Sequence, residues 1–107
     1  MQYEIKTATD AFSGYAARPL MTNDQNAYFV SFETGDSESY IELCAKCPDG
    51  RVVKCVGNRN TGGKAECFLD PAMYSKPGEV VLRISVVSGN RSLTVKEIYI
   101  QVKESFA

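Results

Sequence analysis

The 107-residue sequence contains no histidine and no tryptophan. Without histidine the chain lacks the side chain best suited to moving protons near neutral pH, and also the commonest metal ligand. That absence argues against an enzyme, with carboxylates, lysine and cysteine left as the groups that could still catalyse. The lack of tryptophan weakens a carbohydrate-binding reading. Net charge is almost absent too. Lysine and arginine number 12 against 13 aspartates and glutamates, leaving −1. So small an imbalance sets up no large field to gather nucleic acid or anionic lipid. No apolar run approaches the length of a bilayer span. The opening MQYEIKTATD has no basic region followed by an apolar one, so no secretory signal is expected. No window of helical length carries an i, i+3, i+4, i+7 apolar stripe. The expectation is a chain with no nucleic-acid partner, no membrane partner and no cofactor.

What remains is alternation. In AYFVSFE (27–33), Tyr28, Val30 and Phe32 share one side. In YIELCAKC (40–47), Ile41, Leu43, Ala45 and Cys47 share one side and Tyr40, Glu42, Cys44 and Lys46 the other. EVVLRISVV (79–87) sets Val80, Leu82, Ile84 and Val86 in phase, and EIYIQVK (97–103) does the same with Ile98, Ile100 and Val102. A two-residue period with one apolar face is the mark of half-buried antiparallel strands. Weaker strand candidates are QYEIKT (2–7), RVVKCV (51–56), KAECFL (64–69) and SLTV (92–95), with a short edge strand near GYAARPL (14–20). DPAMY (70–74) can form one helical turn, with Asp70 as cap and Pro71 at the first position.

The separators TGDSES (34–39), PDG (48–50), GNRNTGG (57–63), SKPG (75–78) and SGNR (88–91) are rich in Gly, Asn, Asp and Pro, each with a backbone reason to sit in turns. Short antiparallel strands at this spacing predict an all-β protein, a sandwich or a barrel. With 44% apolar residues and no low-complexity linker, residues 1–107 read as a single domain able to bury a core.

Four cysteines supply the obvious candidates for chemistry. Pro48-Asp49-Gly50 fits a type I turn followed by a left-handed glycine, a three-residue hairpin loop. That loop sets Cys47 opposite Arg51, Cys44 opposite Lys54, Ala45 opposite Val53 and Leu43 opposite Cys55. Cys47 and Cys55 then share a face but stand roughly 13 Å apart at the usual strand rise. A disulfide needs Cα atoms within about 7 Å, so this bridge is excluded. Cys44-x-x-Cys47 has a ligand-like spacing for zinc, but Cys55 and Cys67 do not make a second such pair. In an alternating strand Cys44 and Cys47 also point to opposite faces. A redox CxxC usually opens a helix beside a βαβ unit, which this sequence lacks. The thiols are therefore expected to be free, small apolar side chains, with no metal bound.

Other clusters are weaker. Glu33, Asp36, Glu38 and Glu42 concentrate acid in ETGDSESYIE (33–42), yet in no recognisable calcium loop. Arg59, Lys64, Lys76 and Arg91 fall in or beside loops and would form a basic patch if gathered at one end. Tyr40 and Tyr99 lie on the polar sides of their strands, suited to a sugar or a protein surface. The serines have no histidine partner, and no glycine-rich loop stands between a strand and a helix.

From Thr22 onward the order of elements resembles a known family. TNDQNAYFVSFET resembles its opening Asp and strand, and YIELCAKCPDGRVVKC its strand, Pro-Asp-Gly turn and return strand. TGGKAECFLD resembles its Gly-led strand ending in Leu, KPGEVVLRISVVSGN its Pro-Gly-led strand and turn, and SLTVKEIYIQV its closing strand. Together these are similar to the N-terminal domain of baseplate upper proteins from phages and prophages of Gram-positive bacteria. The resemblance implies an all-β, Ig-like antiparallel β-sandwich of about 7–9 strands that docks receptor-binding or tail components onto the baseplate. It also implies a longer oligomeric chain opened by this domain, made in the bacterial cytoplasm and assembled into the virion. Nothing catalytic comes with it, and the cysteines are not part of its pattern. On this reading the partners are other tail or baseplate proteins. The residues expected to meet them are Arg59, Asn60, Lys76, Asn90, Arg91, Tyr40 and Tyr99, with an added strand at a sheet edge as one mode. The alternative is a carbohydrate-binding or adhesion module of a bacterial surface protein.

Overall fold

The computed structural model describes residues 3–5, 20–22, 28–57 and 59–104. Within them are nine strands: β1 (Tyr3–Ile5), β2 (Leu20–Met21), β3 (Tyr28–Glu33), β4 (Tyr40–Lys46), β5 (Val52–Gly57), β6 (Arg59–Thr61), β7 (Lys64–Phe68), β8 (Gly78–Ser88) and β9 (Arg91–Lys103). One 3-10 turn, Pro71–Tyr74, joins β7 to β8. The Asp70 carboxylate accepts the Ala72 N–H at 2.9 Å, and Pro71 follows the cap as its fixed φ favours.

The strands make two sheets, in the orders β1-β3-β7-β6 and β2-β9-β8-β4-β5. Their inner faces close on one core, so the protein is a β-sandwich. In neighbour order, β3, β7 and β6 take the places of strands B, E and D of an immunoglobulin sandwich, and β9, β8, β4 and β5 those of G, F, C and C′. Two short pairings depart from the antiparallel expectation: β1 runs parallel to β3 and β2 parallel to β9. Neither pair is joined by a hairpin, so no tight turn imposes an antiparallel direction.

The core takes in most of the expected inward residues, with Phe32 only partly buried against it, and adds Leu20, Ala65, Met73 and Tyr74. Val30, Ile41, Leu43, Ala45, Ala65, Leu82, Ile84 and Ile100 are wholly removed from solvent. Tyr28 meets Tyr74 edge to face, with ring centroids 5.1 Å apart. The Met21 N–H donates to the Tyr28 hydroxyl at 3.0 Å and so ties β2 into the sandwich.

The Pro48–Gly50 loop has the register read from the sequence. The Cys47 N–H donates to the Arg51 carbonyl at 2.8 Å, Gly50 has φ 89°, and Leu43, Cys44 and Ala45 face Cys55, Lys54 and Val53. SLTV is the opening of the long β9. RVVKCV and KAECFL form as strands, QYEIKT forms one over Tyr3–Ile5, and of the GYAARPL edge strand Leu20 alone lies within the described residues.

Two features differ from the sequence reading. The separator GNRNTGG contains a strand, β6, paired to β7 through a two-glycine turn whose Gly62 and Gly63 have φ 62° and 94°. That is the geometry of a tight type I′ hairpin. Its one inward residue is Asn60, opposite Ala65, so no apolar alternation marks it. In β8 the register against β9 shifts between Ile84 and Ser85, and Val87 rather than Val86 is the more buried residue beyond it. The skipped position is on β9, between Thr94 and Lys96, while β8 stays in step with β4 through Val87, so the bulge bends β9 and twists the sheet at that end.

Candidate docking face

Strand pairing arranges the outward side chains of the five-stranded sheet in rows. One row runs Val52, Lys46, Val81, Tyr99 across β5, β4, β8 and β9. The next runs Lys54, Cys44, Arg83, Glu97, and a third begins Val56, Glu42, Ser85. An outer sheet face in water is usually polar. Here Val52 is 58% exposed, Val56 52% and Tyr99 37%. The first two rows line a shallow depression of about 530 Å³ bounded by Cys44, Lys46, Val52, Lys54, Val81, Arg83 and Glu97. Three cations there oppose one carboxylate, and Arg83 pairs with that carboxylate, Glu97, at 3.2 Å. The depression thus holds apolar side chains under a basic rim and no pair of facing carboxylates.

The residues singled out from the sequence are spread over the molecule. Lys76 precedes β8 and Asn90 and Arg91 follow it, so they lie at opposite ends of an 11-residue strand, roughly 35 Å long. Arg59 stands on β6 of the other sheet, opposite Glu66. No single basic end forms from these residues. Tyr40 and Tyr99 do share the outer face of the five-stranded sheet. Their partners on β8 are Val87 and Val81, a separation of roughly 20 Å, too far for one sugar ring to stack on both.

Asn60 is used internally. Its Nδ2 lies 2.7 Å from the Ser39 carbonyl, 2.9 Å from the Asp36 carbonyl and 3.2 Å from Thr34 Oγ1, and its Oδ1 accepts the Gly63 N–H at 3.1 Å. It pins the 34–39 loop to the β6–β7 turn. Asn60→Ala leaves those groups without their partner and is expected to cost about 1–2 kcal/mol in urea denaturation. A neutral result would show that this loop is held by other contacts.

The acidic stretch is also internally engaged. The Asp36 carboxylate accepts the Ser39 N–H at 2.7 Å, the Ser39 hydroxyl at 2.8 Å and the Glu38 N–H at 2.9 Å. These bonds, the Ser39 amide first, hold its carboxyl below the usual range. Its oxygens serve a turn and do not converge with Glu33, Glu38 and Glu42 on a cation site.

The four thiols occupy three environments. Cys44 is on the outer face and half-buried. Cys47 is buried under the 3-10 turn, its Sγ 3.7 Å from the Met73 carbonyl, and burial raises its thiol pKa. Cys55 and Cys67, in different sheets, lie side by side with sulfurs 3.8 Å apart. This last pair is not expected from the sequence, which sets Cys55 against Cys47 for a bridge and against Cys67 only for the spacing of a zinc site. No family model matches the chain, and no curated protein matches it.

Proposed function

We propose that the chain is a non-enzymatic docking module, a virion structural domain of the baseplate-upper type, that joins receptor-binding or tail components to the baseplate of a phage or prophage. It docks through the outer face of its five-stranded sheet. The virion assignment rests on the resemblance in element order from Thr22 to Val102. The docking face rests on one observation: Val52, Val56 and Tyr99 stay exposed on a sheet face beside Lys46, Lys54 and Arg83. A few aromatic, apolar and arginine anchors in a desolvated centre carry most of a typical interface energy. Here Tyr99, Val52 and Arg83 are those anchors. The partner surface they fit is apolar at its centre and carries carboxylates opposite the two lysines. β5 is also the edge of its sheet, which allows a partner strand to extend the pairing.

The test is co-expression of the chain with the products of flanking genes, followed by affinity measurement on any complex. Tyr99→Ala and Val52→Asp are each expected to weaken binding at least tenfold while lowering folding stability by no more than about 1 kcal/mol. Asn90→Ala and Arg91→Ala, at the tip of the β8–β9 hairpin, should leave binding unchanged. Loss of binding in the tip variants alone would move the interface to that end. Absence of a complex with every tail or baseplate protein encoded nearby would defeat the virion reading.

A further inference from the structure

We infer that Cys55 and Cys67 form a thiol–disulfide exchange site, in which a partly buried attacking thiol and a buried resolving thiol accept a small-molecule disulfide of the glutathione class and close into a covalent bond between the two sheets. The inference stands independently of the docking role.

The geometry starts from strand phase. Cys55 is on the inward phase of β5, opposite Leu43, and Cys67 on the inward phase of β7, opposite Val30. β5 is the edge of the five-stranded sheet, and β7 lies inside the four-stranded one. Gly57, two residues beyond Cys55 on the same phase, lets the β5 backbone lie directly on Cys67. The sulfurs therefore meet across the sandwich at 3.8 Å, each also 3.5 Å from the Phe68 carbonyl. A disulfide brings them to about 2.0 Å and needs their Cα atoms within about 7 Å. Neither of the other thiols competes, because Cys44 faces outward and Cys47 sits against Ala72 and Met73.

The two thiols differ in the way exchange requires. Cys67 is only 2% exposed, whereas Cys55, packed at the margin of the core, is partly exposed. The groups facing Cys55 are the Cys67 thiol, the Phe68 carbonyl and the amide and carboxylate of Asp70. Either sulfur can be the donor in the bond between them, and with Cys67 donating the Cys55 thiol is brought down to about 7. Burial opposes this, the Asp70 amide assists and the Asp70 carboxylate opposes. The same hydrogen bond, together with burial, pushes Cys67 strongly up. A thiolate with a pKa near ambient pH is the best attacking group in exchange.

The Cys55 thiolate attacks one sulfur of the small disulfide RSSR, forming Cys55–S–S–R and releasing RS⁻. The Cys67 sulfur then attacks Cys55 Sγ, forming the Cys55–Cys67 bond. The second RS⁻ leaves and takes the Cys67 proton, while the first takes the proton that Cys55 had lost to solvent. In sum two protein thiols are oxidised and one RSSR is reduced to two RSH. In a reducing compartment the pair stays as thiols, and in an oxidising one it closes. The closed form crosslinks the sheets and restricts the unfolded chain.

The test uses the intact chain, folded and without denaturant, in a glutathione buffer stepped from reduced to oxidised, read by intact mass and peptide mapping. The wild type is expected to lose about 2 Da, the two thiol hydrogens, with a map showing Cys55 joined to Cys67. Its thermal midpoint should rise by about 10 °C or more on oxidation. Cys67→Ser should keep a glutathione on Cys55, whereas Cys55→Ser should leave Cys67 unlabelled. Retained glutathione on the wild type with no internal bond would overturn the proposal. So would a bond involving Cys44 or Cys47, a bond formed only after unfolding, or an unchanged thermal midpoint. The wild-type measurement decides the matter even where a serine variant does not fold.

Discussion

Leu82→Ala is expected to lower the free energy of unfolding by about 3–4 kcal/mol, within the range found for large-to-alanine core substitutions. Leu82 is fully buried at the centre of β8, flanked by Ala45 on β4 and Ile98 on β9. Both flanking strands are fixed by backbone pairing, and Ala45 has no longer side chain to swing into the space. The cavity therefore stays open, and the lost transfer energy is augmented by lost contacts. Against a total of roughly 5–15 kcal/mol for a domain, this is a large fraction. The matched control is Val52→Ala on β5 of the same sheet. Val52 is 58% exposed and should change stability by less than about 0.5 kcal/mol. Urea denaturation of both variants, with unchanged m-values, reads the difference. Equal costs would mean that the wrong face of this sheet has been assigned to the core.

That contrast was partly legible before any coordinates. β3, β4, β8 and β9 each carry three or more in-phase apolar residues, and hydrophobic burial acts on every one of them, so period and face follow directly. The β4–β5 register was legible because a Pro-Asp-Gly loop fixes it locally. β6 was not, since its inward residue is Asn60, whose role is hydrogen bonding to a loop and not burial of apolar area. The docking face left a faint trace. In Val52-Val53-Lys54-Cys55-Val56, apolar residues occupy both phases, which an edge strand with one wet face has no folding reason to do. The Cys55–Cys67 pair was illegible for a different reason. Alternation assigns a side chain to a face of its own strand, but it does not say which strand of the opposite sheet lies across from it. The one available cue was Gly57, a small residue on the inward phase of a strand, where another backbone approaches closely. The scatter of Lys76 and Arg91 to opposite ends has the same origin, since loops are ordered in space by topology and not by their own composition.

Gly57→Ala tests that close approach and has a sign that separates the possibilities. Gly57 lies in the extended backbone of β5 and has no positive φ, so alanine meets no conformational penalty there. Taken alone, the substitution should stabilise the protein by about 0.4–1 kcal/mol, because the unfolded chain loses freedom. The structure predicts the reverse. A Cβ at Gly57 would stand 2.5 Å from the Cβ of Cys67 and would overlap the Glu66 carbonyl. Neither obstacle is the tip of a flexible side chain, so relief requires β5 and β7 to move apart. Overpacking of this kind costs about 2–3 kcal/mol, which outweighs the entropic gain. The same parting widens the gap between the Cys55 and Cys67 sulfurs, so oxidation of the variant should be slower than in the wild type. Leu82→Ala, comparable in cost but remote from the crossing, should leave the oxidation rate of the folded chain nearly unchanged. Urea denaturation gives the sign, and timed mass spectrometry in oxidised glutathione gives the rate. A gain in stability for Gly57→Ala would show that β5 does not rest on β7, and the inter-sheet thiol pair would fall with it.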